Sequence, residues 1–374
     1  DFDQTHLFHL VYNEEFGKAG GEPYGVLLGD YSIAHRPTSH NKCDDIYTLQ
    51  AISHTAAAAF APFICGAAAE LFGVDNFEQL SPNIDFGRIF AHPEYQRWNS
   101  FREQEDTRFV AVTLPKVLMR EPINTRFSAC DSFRFKEQCN GKDASRYLWG
   151  NSCFAFGTVL LREFAEVGWF AHIRGVARDT MSGGLVTRYH APYNNLDQSP
   201  SRPNIVTPSV ITDNMERQLS ELGLMSLCQG YDSPYASFNS CPSLQQPKNY
   251  GNKAANANAR ISAMIQQILC GSRFAQYVKV IIRSKVGTFA TAHECQRNLQ
   301  SWFNKYTTGR EDLSWEMLAR YPLRKAKVLV TETPGHSEVY QCVIYLKSHY
   351  TVDHLVSELK LATTIAKSSL GNAI

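Results

Sequence analysis

With 374 residues, 44% of them apolar and 12% aromatic, the chain has material for one large domain or two ordinary ones, and disorder is not the default. Its 37 basic residues nearly cancel 36 acidic ones, a formal charge of +1 that argues against a nucleic-acid or anionic-membrane partner. A bilayer span needs roughly 18 to 20 apolar residues in a row, and the longest candidate, AISHTAAAAFAPFICGAAAELFG, is interrupted by His54, Pro62 and Gly66.

The chain opens at Asp1 with no Met and no charged-then-apolar leader, so the expectation is the ordered part of something longer. HLFHLVYNEE and PYGVLLGDYSI read as two strands joined by the Gly-rich FGKAGGE. An Ala-rich helix follows from Asp44, its cap, to about Phe60, where Pro62 closes it. Further helices lie in DFGRIFAHPEYQRWNSFREQ, and TRFVAVTLP alternates like a strand.

From Asp143 to Gly168 one helical stripe carries Trp149, Cys153, Phe156, Leu160, Phe164 and Val167, and WFAHIRGV resumes an extended pattern. Residues 177 to 205 are a polar surface excursion, and ITDNMERQLSELGLMSL starts a helix capped by Asp213. The longest helical pattern runs through NARISAMIQQILCGSRFAQYVKVIIRSKVG. Its apolar face is Ile261, Ile265, Ile268, Ala275, Val278 and Ile282, with a bend or close contact at Gly271. Arg273, Lys279, Arg283 and Lys285 give its second half a basic side.

From near Thr288 the texture changes to a compact unit: the helix ECQRNLQSWFNKYTT, strands AKVLVTET and VYQCVIYLKS about PGHSE, and finally LVSELKLATT. The expected fold class is therefore α+β (mixed α/β), a main α/β body over 1–288 and a C-terminal α+β unit over 289–374.

Little of this points to chemistry. Ten cysteines without a CxxC pair and twelve histidines without HExxH fit reduced, buried thiols in a cytosolic protein rather than disulfides or zinc. SRYLWGNSCFAFG looks like a nucleophile's seat, but Gly150-Asn151-Ser152-Cys153-Phe154 lacks the second glycine of a nucleophile elbow, and helical phase turns Cys153 to the core. No phosphate-binding Gly-rich loop is present. In FREQEDTR, Glu103, Glu105 and Asp106 could be acid/base carboxylates, yet the flanking Arg102 and Arg108 favour a structural ion-pair network. No catalytic, cofactor or metal-binding residue is assigned.

Eight blocks in order resemble a known family: RWNSFREQEDTRFVAVTLP, YLWGN, REFAEVGWFAHIRGV, ITDNMERQLSELGLMSL, KAANANARISA, SRFAQYVKVIIRSKVGTF, LQSWFNKY and ARYPLRKAKVLV. From about Tyr24 to Leu361 they look like the large sheath subunit of the bacterial type VI secretion system, TssC or VipB. The resemblance implies a contractile tail-sheath-like fold and a structural, non-enzymatic subunit, truncated at its N-terminus, with no cofactor. By this resemblance the partners are a small sheath subunit (TssB or VipA), further copies in a helical sheath, an Hcp inner tube, a baseplate and, through the small subunit, a ClpV-type unfoldase. The implied place is the bacterial cytoplasm, in a sheath anchored at the envelope. A phage- or pyocin-like tail sheath protein, or a cytosolic hydrolase using Cys153 or Ser152, stays open as an alternative.

The family has more chain before this point, helical and joined to the small subunit, which implies that this form alone does not make a stable heterodimer. RFSACDSFRFKEQCNGKD, the 177–205 excursion and the tail AKSSLGNAI look less family-like. Near the end, Leu355, Ser357, Leu359, Lys360 and Leu361 form a candidate inter-subunit strand, or an ordinary edge strand. Arg273, Lys279, Arg283 and Lys285 face the inner tube, the lattice or solvent. The family commonly has small residues after WGN, so Cys153 is expected to be a packing position. Cys153→Ala should leave thermal unfolding nearly unchanged, whereas Cys153→Trp should cost about 1–3 kcal/mol or more through overpacking.

Overall fold

A computed structural model describes residues 2–18, 20–38, 41–120, 123, 135, 137–138, 146–176, 182–187, 206–229, 235–284, 291–310, 312–333, 336–352 and 355–366. The helices are α1 (His6–Phe8), running on into a π-helix over His9–Gly17, then α2 (Asp45–Ala59), α3 (Phe86–Phe90), α4 (Gln96–Arg102), α5 (Ser152–Val167) and α6 (Asp213–Glu221). After them come α7 (Lys253–Ser262), α8 (Ile265–Ser284), α9 (Ala292–Asn304) and α10 (Trp315–Arg320). The strands of the body are β1 (Leu27–Ile33), β2 (Phe63–Ala67), β3 (Val110–Leu114), β4 (Val117–Leu118), β5 (Trp149–Gly150), β6 (Leu185–Val186), β7 (Leu224–Gln229) and β8 (Ala236–Phe238). Three long strands finish the chain: β9 (Leu323–Thr333), β10 (His336–Val352) and β11 (Leu355–Ala366).

The body is one six-stranded sheet, β1-β2-β3-β7-β8-β6, parallel from β1 to β7 and antiparallel beyond. Helices cover both faces, which is why its central strands are apolar throughout rather than alternating. Phe63, Cys65, Val110, Val112 and Leu224 share one core with α2, α4 and α6. Ile64, Ala111, Met225 and Leu227 turn to the opposite core, with α5 and the start of α8. A third core joins Cys270, Phe274, Val278 and Ile282 of α8 to α9, β9 and β10, so the C-terminal unit shares α8 with the body. Its sheet is antiparallel, β11-β10-β9.

Several local expectations are corrected. HLFHLVYNEE is helical, because Val11 and Phe16 bury against Ala59 and Ala61 beside α2. The cap of α6 is Thr212 rather than Asp213, its side chain accepting from Met215 N. The helix expected from Asp143 to Gly168 begins only at Ser152, with Trp149 in a two-residue strand paired to Leu118. WFAHIRGV is irregular, its Trp169, Phe170, Ala171 and Ile173 buried without strand pairing. The break in the long helical pattern falls at Ala263, where the Ala263 carbonyl accepts from Ser243 N, and Gly271 lies inside an unbroken α8. Residues 177–181, 188–205, most of 121–145 and the tail after 366 are outside the described residues.

Asn151 fixes where α5 meets the sheet. Its side chain accepts from Cys153 N at 3.0 Å as the helix cap and donates to the Tyr31 carbonyl of β1 at 2.8 Å. It fits only because β2 has a glycine beneath it: a Cβ on Gly66 would stand 2.7 Å from Asn151 Cγ. Gly66→Ala is therefore expected to lower stability by about 1–3 kcal/mol in urea unfolding, and an unchanged midpoint would show that the contact relaxes freely.

Candidate assembly interface

The apparent nucleophiles are packing groups. Cys153 is fully buried, its thiol aimed at the Gly29 carbonyl at 3.6 Å, and burial pushes its pKa up to about 12. Such a thiol stays neutral and unreactive at ordinary pH. Ser152 donates to Thr113 Oγ1 at 2.9 Å, and Thr113 donates to the Cys65 carbonyl at 3.1 Å, a hydroxyl relay that ends on backbone. Among the described residues no group of three or more His, Cys, Asp or Glu side chains could hold a metal ion, and no helix is long and apolar enough to cross a membrane.

The expected network at 102–108 does not form as drawn. Arg102 is 4% exposed and donates to the carbonyls of Leu244 and Glu221 instead of to carboxylates. Burial lowers its pKa to about 10, which leaves it charged at neutral pH. Arg108 donates to the Glu105 carbonyl at 2.9 Å. The carboxylates look elsewhere, Asp106 to His54 Nδ1 at 2.7 Å and Glu105 to Lys248 at 3.9 Å, while Glu103 has no ion pair among the described residues. Arg102 thus ties α4 to the last residue of α6 and to Leu244 beyond β8, its charge spent on backbone carbonyls.

The basic side of α8 is likewise used inside the chain. Arg283 donates to the carbonyls of Phe16 and Lys18, at the C-terminal end of the π-helix, where carbonyls lack intrahelical partners and positive charge is favoured. Lys279 lies over the rings of Phe16 and Tyr12, its Nζ 3.8 and 5.4 Å from their centroids. Burial, with the charge of Arg283 second, holds the Lys279 pKa below the usual lysine value. Arg273 bonds Gln276 and Tyr277 at 2.8 Å each. These three cations are half-buried, and inner-tube contact is not their visible role; Lys285 lies outside the described residues.

Sequence reasoning missed the carboxamides. Gln276 donates to the carbonyls of Tyr24 and Phe60 at 2.6 and 2.8 Å. Gln267 accepts from Ser348 Oγ at 2.8 Å, joining α8 to β10. On α9, Gln296 and Gln300 reach the outer backbone of β9. Uncharged, common side chains give no motif; the one available signal was the i, i+4 spacing of Gln296 and Gln300 beside an apolar stripe.

The five residues of the candidate strand, Leu355, Ser357, Leu359, Lys360 and Leu361, all fall in β11, the edge strand of the C-terminal sheet. Its inner side pairs with β10 from Val339↔Ala366 to Val352↔Leu355, with a register shift between Lys347 and Thr351.

Two family models match this two-part chain: the EvpB/VC_A0108 tail sheath N-terminal domain over residues 1–245 and the tail sheath gpW/gp25-like domain over 254–365. Both describe tail-sheath proteins. The chain is also 35% identical over 365 residues to the type VI secretion system sheath protein TssC1 of Pseudomonas aeruginosa, covering 97% of this chain and 71% of that one. The chain belongs to the VipB (EvpB/VC_A0108) family, the large sheath subunits of type VI secretion systems. Among solved structures, the cryo-EM structure of the anti-feeding prophage baseplate matches with a TM-score of 0.39 and 9% identity over 88% of this chain, which spans 64% of that chain.

The N-terminal clamp is testable. Replacing Lys279 and Arg283 together by Ala should speed limited trypsin cleavage after Lys18 and lower stability by about 1.5–3 kcal/mol, the range for hydrogen bonds to charged groups. Cleavage at the wild-type rate would show that α8 does not hold the segment.

Proposed function

We propose that the chain is the structural large subunit of a cytoplasmic contractile sheath anchored at the cell envelope, pairing with a small sheath subunit around an Hcp inner tube. The sheath stands on a baseplate, contraction propels the tube out of the cell, and a ClpV-type unfoldase acting through the small subunit dismantles it. No catalytic step is assigned to the chain. The family membership supports the sheath role, and the observation that carries the mechanics is the edge position of β11.

A contracting lattice needs links that persist while rigid bodies rotate. A strand added to a neighbour's sheet does this, because its hydrogen bonds follow the strand rather than the body. Each bond contributes only about 0.5–1.5 kcal/mol net, so one strand does not hold a sheath, but repetition over many subunits does through avidity. β11 has the length for it, with 12 residues at the last described end of the chain. The cations of α8 serve the N-terminal segment, and the tube-facing surface is not assigned to them.

Electron microscopy of the chain co-expressed with its small subunit should show tubes, and deletion of 355–366 should abolish them while leaving a folded body. Tubes of normal length without these residues would sink the strand-exchange mechanism; a monomer with catalytic turnover would overturn the sheath reading itself.

A further inference from the structure

The buried charge of Arg102 has no counter-charge in the described chain. Its guanidinium bonds the carbonyls of Leu244 and Glu221 at 3.1 and 3.5 Å, while the nearby carboxylates of Glu105 and Asp106 pair with Lys248 and His54. Carbonyl dipoles lower the cost of burying a cation, yet buried charges are ordinarily paired. The segments that Arg102 ties together also wall a cavity of about 530 Å³. Glu221 and Gln246 both line it, and Gln246 N–H donates to the Arg102 carbonyl at 2.8 Å. A cavity of this size is in the range of ligand sites.

The lining is rich in donors without acceptors. Ser243 is 1% exposed, and its Oγ has no hydrogen-bond partner. Arg260, in the last turn of α7, has no side-chain hydrogen bond or ion pair among the described residues. Lys248 meets Glu105 only at 3.9 Å, an exposed pair of the kind that contributes little. Asn249 Oδ1 already accepts from Asn256 Nδ2 at 2.8 Å and Gly251 N at 3.1 Å, which leaves its amide nitrogen as the group still able to bond. Against these stands one acidic side chain among the described lining residues, Glu221.

We propose that this cavity binds a carboxylate ligand, held by Arg260 and Lys248 with the hydroxyl of Ser243 and the amide of Asn249 as further donors. The ends of α6 and α7 lie at the same place, and a helix C-terminus by itself favours a cation. Here those ends are already satisfied: Gly223 N bonds the Ser220 carbonyl, Arg102 the Glu221 carbonyl, and Ala263 N and Met264 N the last carbonyls of α7. What remains unmatched is positive charge and N–H or O–H groups, the complement of a carboxylate. A bound anion would also supply the nearby counter-charge that Arg102 lacks. The carboxylate is either a free small dicarboxylate or an acidic side chain of another protein segment, and the two sources are separable by experiment.

The test is calorimetric titration of the full chain, at fixed ionic strength, with glutarate, with the capped tripeptide Ac-Glu-Glu-Glu-NH2 and with its Gln counterpart. Saturable binding of at least one carboxylate probe, and none of the Gln peptide, is expected. Arg260→Gln should weaken that binding about tenfold, the effect of losing one charge-assisted hydrogen bond. Arg260 and Lys248 are both exposed, so should the first variant fail to fold, Lys248→Gln decides by the same readout. Arg310→Gln, which removes an exposed cation paired with Asp312, should bind like wild type. Glutarate binding as tightly as the peptide assigns the site to a free carboxylate, and peptide binding about tenfold tighter or more assigns it to an acidic segment of another chain. Absence of saturable binding by both probes, wild-type affinity in Arg260→Gln, or an equal loss in Arg310→Gln overturns the proposal. None of the lining residues belongs to β11, so such a result leaves the sheath reading as it stands.

Discussion

Helix α8 must satisfy two cores at once, and the rest of the molecule is arranged around that requirement. Its first turns bury Ile265, Ile268 and Leu269 under the body sheet, while Cys270, Phe274, Val278 and Ile282 belong to the core of the C-terminal unit. A helix apolar on so much of its circumference has few places for polar groups, and those it buries need partners. Gln266 bonds the Ala171 carbonyl, Gln267 the Ser348 hydroxyl and Gln276 the carbonyls that end the N-terminal segment and α2. Each of these is a donor or acceptor that would be costly to leave unmade, so together they specify how body, N-terminal segment and terminal sheet dock.

That docking explains why residues with a chemical look are inert. Ser152, Cys153 and Thr113 sit where α5 enters the sheet, and their polar atoms are consumed by neighbouring carbonyls and hydroxyls. Arg102 and Arg283 show the same economy with charge, each placed where a helix or turn leaves carbonyls without partners. Charge placed on internal carbonyls satisfies acceptors that would otherwise be buried without partners.

Much of the architecture was legible along the chain. The Asp44 and Gly168 caps, the strand character of β1 and β3, and the three strands β9 to β11 are local signals, set by backbone capping and β-branched, aromatic composition between turn residues. The N-terminal helix escaped because the wide turns of a π-helix match neither a 3.6 nor a 2 period. The boundary of α7 and α8 escaped because the interruption comes from Ser243 and Pro242 pairing with Ala263 and Met264, not from Gly271 in the helix itself.

The sequence by itself determined the family, the near-neutral charge balance, the paired β and helix patterns and the packing role of Cys153, since composition, ordered motifs and helical phase are properties of neighbours along the chain. Only the tertiary structure decided which cations and amides do structural work. Arg283 reaches Phe16 across 267 positions and Gln276 reaches Tyr24 across 252, while the amides of Val328 and Val330 on β9 find carboxamides on a helix 28 to 34 residues away. A polar side chain carries no mark of its partner, because the bond is fixed by where the apolar faces bring two distant segments together.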